Sequence, residues 1–375
     1  MTGQDLVRDL GEMGAGERPV VGGKGASLGE LIRAGIRVPP GCVVTVRAFE
    51  RALRALDPAG TIRREIERLP ADDRAEIARV TARIRARIAA EPLPEDVREQ
   101  IMARYRAMGG DPFTGDGGVG DGGQRGMAVA VRSSATGEDG AEASFAGLQD
   151  TYLWVRGEDA LLDAVPRCWA SLYNAEAVGY RRRMKIGEQD LAMAVVVQRM
   201  VEPRCAGVMF TCSPTTGDRS VIAVEACWGL GSALVSGDVT PDCYVISKVT
   251  GEIVRRTVAA KLRRHQAGPG GRGVAAADVP APLREQACLA DAEIAALARI
   301  GRRVEEHYGA PQDIEWAITE GSRLEEGIVV LQSRPETVWA RRRTGPIATT
   351  KARPADHVFE HLGRVVPAAA PDPER

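Results

Sequence analysis

The 375-residue sequence has little aromatic character, 4%, and only four histidines. No apolar run approaches the ~20 residues that a membrane-crossing helix needs, and the N-terminal stretch MTGQDLVRDLGEMGAGE has no apolar secretory core. These absences argue against membrane association and export. The seven cysteines show no CxxC or Cys/His spacing, which argues against a zinc site. An odd number of them without a leader fits a cytoplasmic protein in which they serve as small core hydrophobes. An excess of one charge is missing as well. Fifty basic residues face 51 acidic ones, for a net charge of -1, and this argues against a nucleic-acid binder. Lysine is scarce: Lys24, Lys185, Lys248, Lys261 and Lys351 stand among many arginines. Each lysine therefore carries more information than each arginine.

What is present is ordinary globular material, 44% hydrophobic and 27% charged. The length predicts two or three packed units. Residues 47–107 carry apolar positions at spacings of three and four among charged ones, which predicts a layer of helices. The run GGDPFTGDGGVGDGGQRG at 109–126 predicts a flexible loop. MAVAVR at 127–132 and TYLWV predict buried strands, residues 158–184 two helices, and the chain beyond about 190 mainly strands, with a long helix at 282–307. The expected organisation is α/β over residues 1–190 and sheet-rich α+β over 191–340. An Arg/Pro/Ala-rich linker or tail follows at 341–375.

Several segments carry chemistry. VGGKGASLGEL combines close-approaching glycines, Lys24 and the start of a helix, the ingredients of a phosphate cradle. It also describes a tight turn, with Ser27 as N-cap and Glu30 completing a capping box. AVAVRSSATGED delivers Arg132 from a strand into a loop of hydroxyls and on to FAG at 145–147. Arginine suits bidentate contact with phosphate oxygens, while the hydroxyls serve a phosphate or a local turn. In DIEWAI and VVLQSR, strand alternation places Asp313 and Glu315 on one face, and Val330, Gln332 and Arg334 on one face of the second strand. If the strands pair, Glu315, Gln332 and Arg334 line one surface. A carboxylate and an amide oxygen there suit Mg²⁺, and a plain solvent-facing hairpin fits equally. VVVQRMVEP suits a connection between two units, where Gln198 and Met200 can meet a planar base or simply fill a core strand. ACWGLGSALVSGDVTPDCY reads as a close-packed loop–helix–strand junction.

In this order, VGGKGASLGEL, AVRSSATGEDGAEASFAGLQDTYL, VQRMV, GVMFT, WGLGSALVSGDVTPD, HYGAPQDIEWAI and VLQSRPETVW resemble the N-terminal nucleotide-binding region of phosphoenolpyruvate synthases. The same region occurs in rifampin phosphotransferases and, more distantly, in pyruvate phosphate dikinases. The resemblance runs from about residue 20 to 340 and implies an ATP-grasp fold of two subdomains with the nucleotide between them. It implies that Lys24 and Arg132 are phosphate ligands and that Gly147 and Thr151 belong to a phosphate-covering loop. Gln198 becomes the adenine-side contact, Glu315 and Gln332 the Mg²⁺ ligands, and Arg334 a catalytic arginine beside Lys24 and Arg132. Family members transfer a phosphoryl or pyrophosphoryl group from ATP to a histidine on a swivelling domain. The family's Thr-Ser-Gly-Gly run leading to that histidine is absent here, and His265, His307, His357 and His361 stand in other contexts. The expectation is therefore a phosphotransferase module that uses Mg-ATP and a separate phospho-histidine acceptor protein. A subunit of a split phenylphosphate synthase or an antibiotic phosphotransferase-like system is a variant of it. A nucleotide-sensing protein without turnover is the alternative of another class.

Overall fold

The computed structural model describes residues 5–109, 126–136, 150–188, 191–319, 321, 326–337 and 339, together with the backbone at 139–140 and 143–144. The expected glycine-rich loop at 109–126, Gly147 and the tail at 341–375 lie wholly or almost wholly outside the described residues.

The chain opens with β1 (Val7–Asp9), α1 (Arg18–Arg33) and β2 (Gly41–Val44). The helical layer is α2 (Val46–Leu56), α3 (Thr61–Arg68), α4 (Arg74–Ala90) and α5 (Glu95–Met108). In α4 the buried positions Ile77, Val80, Thr81, Ile84 and Ile88 follow the helical period, and the Asp73 carboxylate caps the first turn from Glu76 N at 2.9 Å. Next come β3 (Ala128–Ala135), the short strands β4 (Asp139–Gly140) and β5 (Ala143–Ser144), and β6 (Thr151–Arg156). The expected helix pair is α6 (Glu158–Ala170) and α7 (Ala175–Met184), followed by β7 (Met193–Arg199). The first sheet has the order β1-β2-β7-β3-β6 and every pair in it is antiparallel.

The second sheet has the order β11-β10-β9-β8-β14-β15. Its strands are β8 (Pro203–Phe210), β9 (Val221–Trp228), β10 (Asp242–Ser247), β11 (Ile253–Thr257), β14 (Gln312–Thr319) and β15 (Ile328–Pro335). The short α8 (Ser232–Val235) follows β9, a ribbon of β12 (Arg263–Ala267) and β13 (Val274–Asp278) follows β11, and α9 (Asp291–Tyr308) packs on the sheet. Gly301 allows that close approach, because a Cβ there would stand 2.9 Å from the Met209 sulfur. This sheet too is antiparallel throughout, so helices and antiparallel sheets together make an α+β arrangement. No parallel strand pair of the α/β kind occurs among the described strands.

The sheets change over between Arg199 and Pro203, later than residue 190 where strand character begins in the sequence. The reason is β7, an apolar run that is buried as the central strand of the first sheet. The described residues up to Thr337 form one compact unit containing both sheets.

Among the described residues, two ion pairs are sealed inside. Lys261 Nζ meets Asp242 Oδ1 at 2.5 Å with both side chains fully buried. The same carboxylate accepts from the backbone N–H groups of Ala259 and Cys288. Arg181 forks onto Glu188 at 2.9 and 3.2 Å and donates to the Leu172 carbonyl. Each charge is matched by several hydrogen bonds, the condition for tolerating it in a core.

Candidate active site between the two sheets

The glycine segment around Lys24 does not form a loop before its helix. It lies inside α1, which breaks at Gly22 with φ 71° and ψ 177°. Only glycine fits there: a Cβ would stand 1.9 Å from the Ser134 carbonyl oxygen. Ser134 knits the break, donating to Val21 O at 2.8 Å and accepting from Gly25 N at 3.1 Å. Ser27 is therefore not an N-cap. It sits within the helix and donates to Ser333 O at 2.7 Å, and Glu30 accepts from Ala15 N. Lys24 Nζ donates to Ser133 O at 2.9 Å, which joins the first two sequence motifs in space. The hydroxyls after Arg132 bond largely to backbone: Ser134 as above, and Thr136 to Ala192 O at 3.3 Å.

Arg132 projects from β3 across to the second sheet. Its Nη1 donates to Leu331 O at 2.8 Å, and its Nη2 donates to Glu315 Oε2 at 3.0 Å and to Gln332 Oε1 at 2.6 Å. The two side chains named as metal ligands thus converge on one cationic nitrogen. The hairpin brings them together by pairing Glu315 with Gln332. The pairing also corrects the expected alternation. The register shifts between Glu315 and Trp316, whose partner is Val330, so Leu331 is an extra residue in β15. This β-bulge sends Val330 into the core with Trp316 and leaves Leu331 on the cleft side with Glu315. Simple period-two counting cannot register an inserted residue.

Between the sheets lies a cleft of about 350 Å³. Arg132, Thr151, Gln198, Met200, Val201, Leu230, Ser232, Ala317, Glu315 and Leu331 are among its lining residues. Thr151 is exposed at the start of β6, opposite Arg132 in the register. Gln198 is held in β7 between Gly41 and Ala130, and its Nε2 donates to Pro39 O at 3.3 Å. Arg334 is not among the cleft-lining residues. Its guanidinium grips Asp313 Oδ2 at 2.6–2.7 Å, in the row next to Glu315. Gly147 lies outside the described residues.

Two carboxylates without a role in the sequence reading share this face. Burial pushes Asp313 above the usual carboxylate range, and the charges of Glu315 and Glu336 add to the rise while Arg334 opposes it. Burial also raises Glu225 on β9, helped by the Asp313 charge. Alternation in SVIAVEA places Glu225 opposite the buried Ile222, Val224 and Ala226, but which sheet it would face is visible only in the fold.

The donor set fits a magnesium ion. One carboxylate and one amide oxygen are hard ligands, and Mg²⁺ commonly takes one or two protein oxygens and fills the rest of its shell from phosphates and water. A guanidinium nitrogen now stands where both oxygens point. No larger cluster of metal-binding side chains occurs among the described residues.

Residues 18–354 match the family described as pyruvate phosphate dikinase, AMP/ATP-binding domain. A probable phosphoenolpyruvate synthase of Methanothermobacter thermautotrophicus is 43% identical over 87% of this chain and 45% of its own length. A rifampicin phosphotransferase of a Streptomyces species is 42% identical over 88% of this chain and 36% of its own. The phosphoenolpyruvate synthase of Pyrococcus furiosus is 36% identical over 96% of this chain and 47% of its own. The chain thus spans less than half the length of these relatives. No helix among the described residues is long and apolar enough to cross a membrane. By the extent of the match and these identities, the chain belongs to the phosphoenolpyruvate synthase and pyruvate phosphate dikinase family, in its ATP-binding region.

Proposed function

We propose that this chain binds Mg-ATP in the cleft between its sheets, in the ATP-grasp manner. It then transfers a phosphoryl or pyrophosphoryl group from it to a histidine on a separate domain or subunit. The observation that carries the reading is Arg132 of the first sheet reaching Glu315 and Gln332 of the second. A cation and two hard oxygens from the two sheets meet beside the cleft at Glu315, and further along it Met200, Val201 and Ala317 give apolar lining. That polarity suits a ligand with a planar base at one end and phosphates at the other.

Magnesium, when bound, would supply positive charge that neutralises the phosphates. Glu315 and Gln332 would hold it. Arg132 now bonds those same oxygens, so it must release them and turn to the phosphate oxygens, for which its planar fork is suited. Lys24, at the break in α1, adds a point charge, and Arg334 stands one row away on β15. Thr151 and Gly147 would cover the phosphates, and Gln198 would meet the base edge. A nucleotide sensor needs the base contacts alone, whereas retention of this transfer-end set favours turnover. The two differently named relatives match the same region of this chain. This supports reading that region as a nucleotide half common to both, with the final acceptor set elsewhere.

The test is incubation with ATP labelled at the β or γ position, with and without soluble extract from cells that express the protein. Label appearing as acid-labile phosphohistidine on a second protein supports the reading, and AMP or ADP as product sets the transferred group. Bound ATP with no transfer under any condition returns the chain to the sensor class.

A further inference from the structure

The junction after β9 carries a polar constellation that the transfer chemistry leaves unused. Ser232 opens α8 and lines the cleft. Its Oγ lies 3.0 Å from His265 Nδ1 on β12, and His265 Nε2 lies 3.3 Å from Asp238 Oδ2. Ser236 donates to that same carboxylate oxygen at 2.6 Å. Backbone contacts hold the histidine in place. Leu230 N donates to its carbonyl at 2.9 Å, and Gly229, at φ 73°, approaches so closely that a Cβ would stand 2.3 Å from that oxygen.

Serine, histidine and aspartate in a row invite a nucleophile reading, and the geometry opposes it. Hydrolytic triads place the hydroxyl on Nε2 and bury the carboxylate on Nδ1. Here the order is reversed and the Asp238 side chain is 55% exposed. A hydroxyl that both donates and accepts, oriented by an imidazole, is instead suited to binding another neutral hydroxyl.

Its place along the cleft says which one. Leu230 packs with Met200 and Leu153 on the apolar side. At Gly231 a Cβ would lie 3.7 Å from Ala206 and 3.9 Å from Gly207. The next residue of β8, Val208, is the register partner of Glu315. With a rise of about 3.3 Å per residue, the turn stands roughly one step from the carboxylate toward the apolar end. In a nucleoside triphosphate the sugar joins base to phosphates. A ligand with phosphates at Arg132 and its base against Met200 lays its sugar beside Ser232.

We propose that Ser232, oriented by His265 and Asp238, hydrogen-bonds a ribose hydroxyl of the bound nucleotide and makes the site prefer ribonucleotides. The inference rests on the nucleotide-site reading above. The test is calorimetric titration of the whole chain with ATP, 2′-deoxy-ATP and 3′-deoxy-ATP. Wild type is expected to bind ATP about five- to tenfold more tightly than one of the deoxy forms. Ser232→Ala should bring ATP down to the affinity of that form and leave the form itself unchanged. His265→Gln, a positioning change, should narrow the ratio while its melting temperature stays near wild type. Equal weakening of all three nucleotides by Ser232→Ala, or no effect on any, overturns the proposal. Wild type that binds ATP and both deoxy forms equally overturns the ribose assignment alone, whereas wild type that binds none of them overturns the nucleotide site as well.

Discussion

Lys261–Asp242 and Arg132–Glu315 are both cation–carboxylate contacts, and they sit in opposite settings. The first is fully buried, and its carboxylate also takes two backbone N–H groups. Nothing from solvent can replace its members, so it can only be structural. The second has side chains 11% and 37% exposed at the wall of a cleft, and its cation shares its bonds among three oxygens. Water, a metal ion or a phosphate can substitute for either partner. The difference teaches that the exchangeable pair, rather than the better-bonded one, marks the candidate site.

Breaking the buried pair should have the largest effect. Lys261→Met leaves Asp242 charged and desolvated, and is expected to cost about 3–5 kcal/mol of stability, read from urea unfolding midpoints. Glu315→Gln should barely move that midpoint, because its pair is partly exposed. It should lower Mg²⁺-dependent phosphoryl transfer by about 10²-fold or more while metal-free nucleotide binding stays within a few-fold. Arg132→Lys keeps the charge and loses the planar fork, so ATP affinity should fall about tenfold, measured by calorimetry with the melting temperature unchanged.

The smallest effect sharpens the comparison from the side of pH. Burial raises Asp313 above its ordinary value in the folded state, so the folded protein holds this proton more tightly than the unfolded chain. Its contribution to stability is full below the unfolded carboxyl value near pH 4 and is lost as pH rises through the higher folded value. Asp313→Asn should flatten that decline in denaturation curves taken across mildly acidic pH. An unaltered slope would show that Arg334 already neutralises the site.

The sequence was legible where periodicity is simple. The helices from Val46 to Met108, the pair α6 and α7, and the hairpin that pairs Glu315 with Gln332 follow from spacing three, four and two. It was illegible where a single backbone event resets the count. The break at Gly22 turns an expected loop-and-cap into a kinked helix, and the extra Leu331 exchanges the faces of Val330 and Leu331. The sheet that β7 joins depends on partners far away in the chain, so onset of strand character near 190 did not locate the changeover. Arg132 was visible as a candidate, but its grip on both expected metal ligands needed the third dimension. His265 stood outside the family's motif, and its contact with Ser232 was hidden because 33 residues separate them.

The bulge in β15 also sets which changes in chain length the protein can absorb. With Leu331 as the extra residue, Ile328 and Val330 face inward while Gln332 still faces Glu315. Deleting Leu331 would remove the bulge and leave one unbroken ladder, with Val330 still opposite Trp316 and Gln332 still opposite Glu315. Plain alternation then keeps valine inside and the amide on the cleft side, so neither face is exchanged. A single-codon deletion at this position therefore spares the register of both faces, and removes only an apolar side chain of the cleft wall and the carbonyl that Arg132 Nη1 bonds.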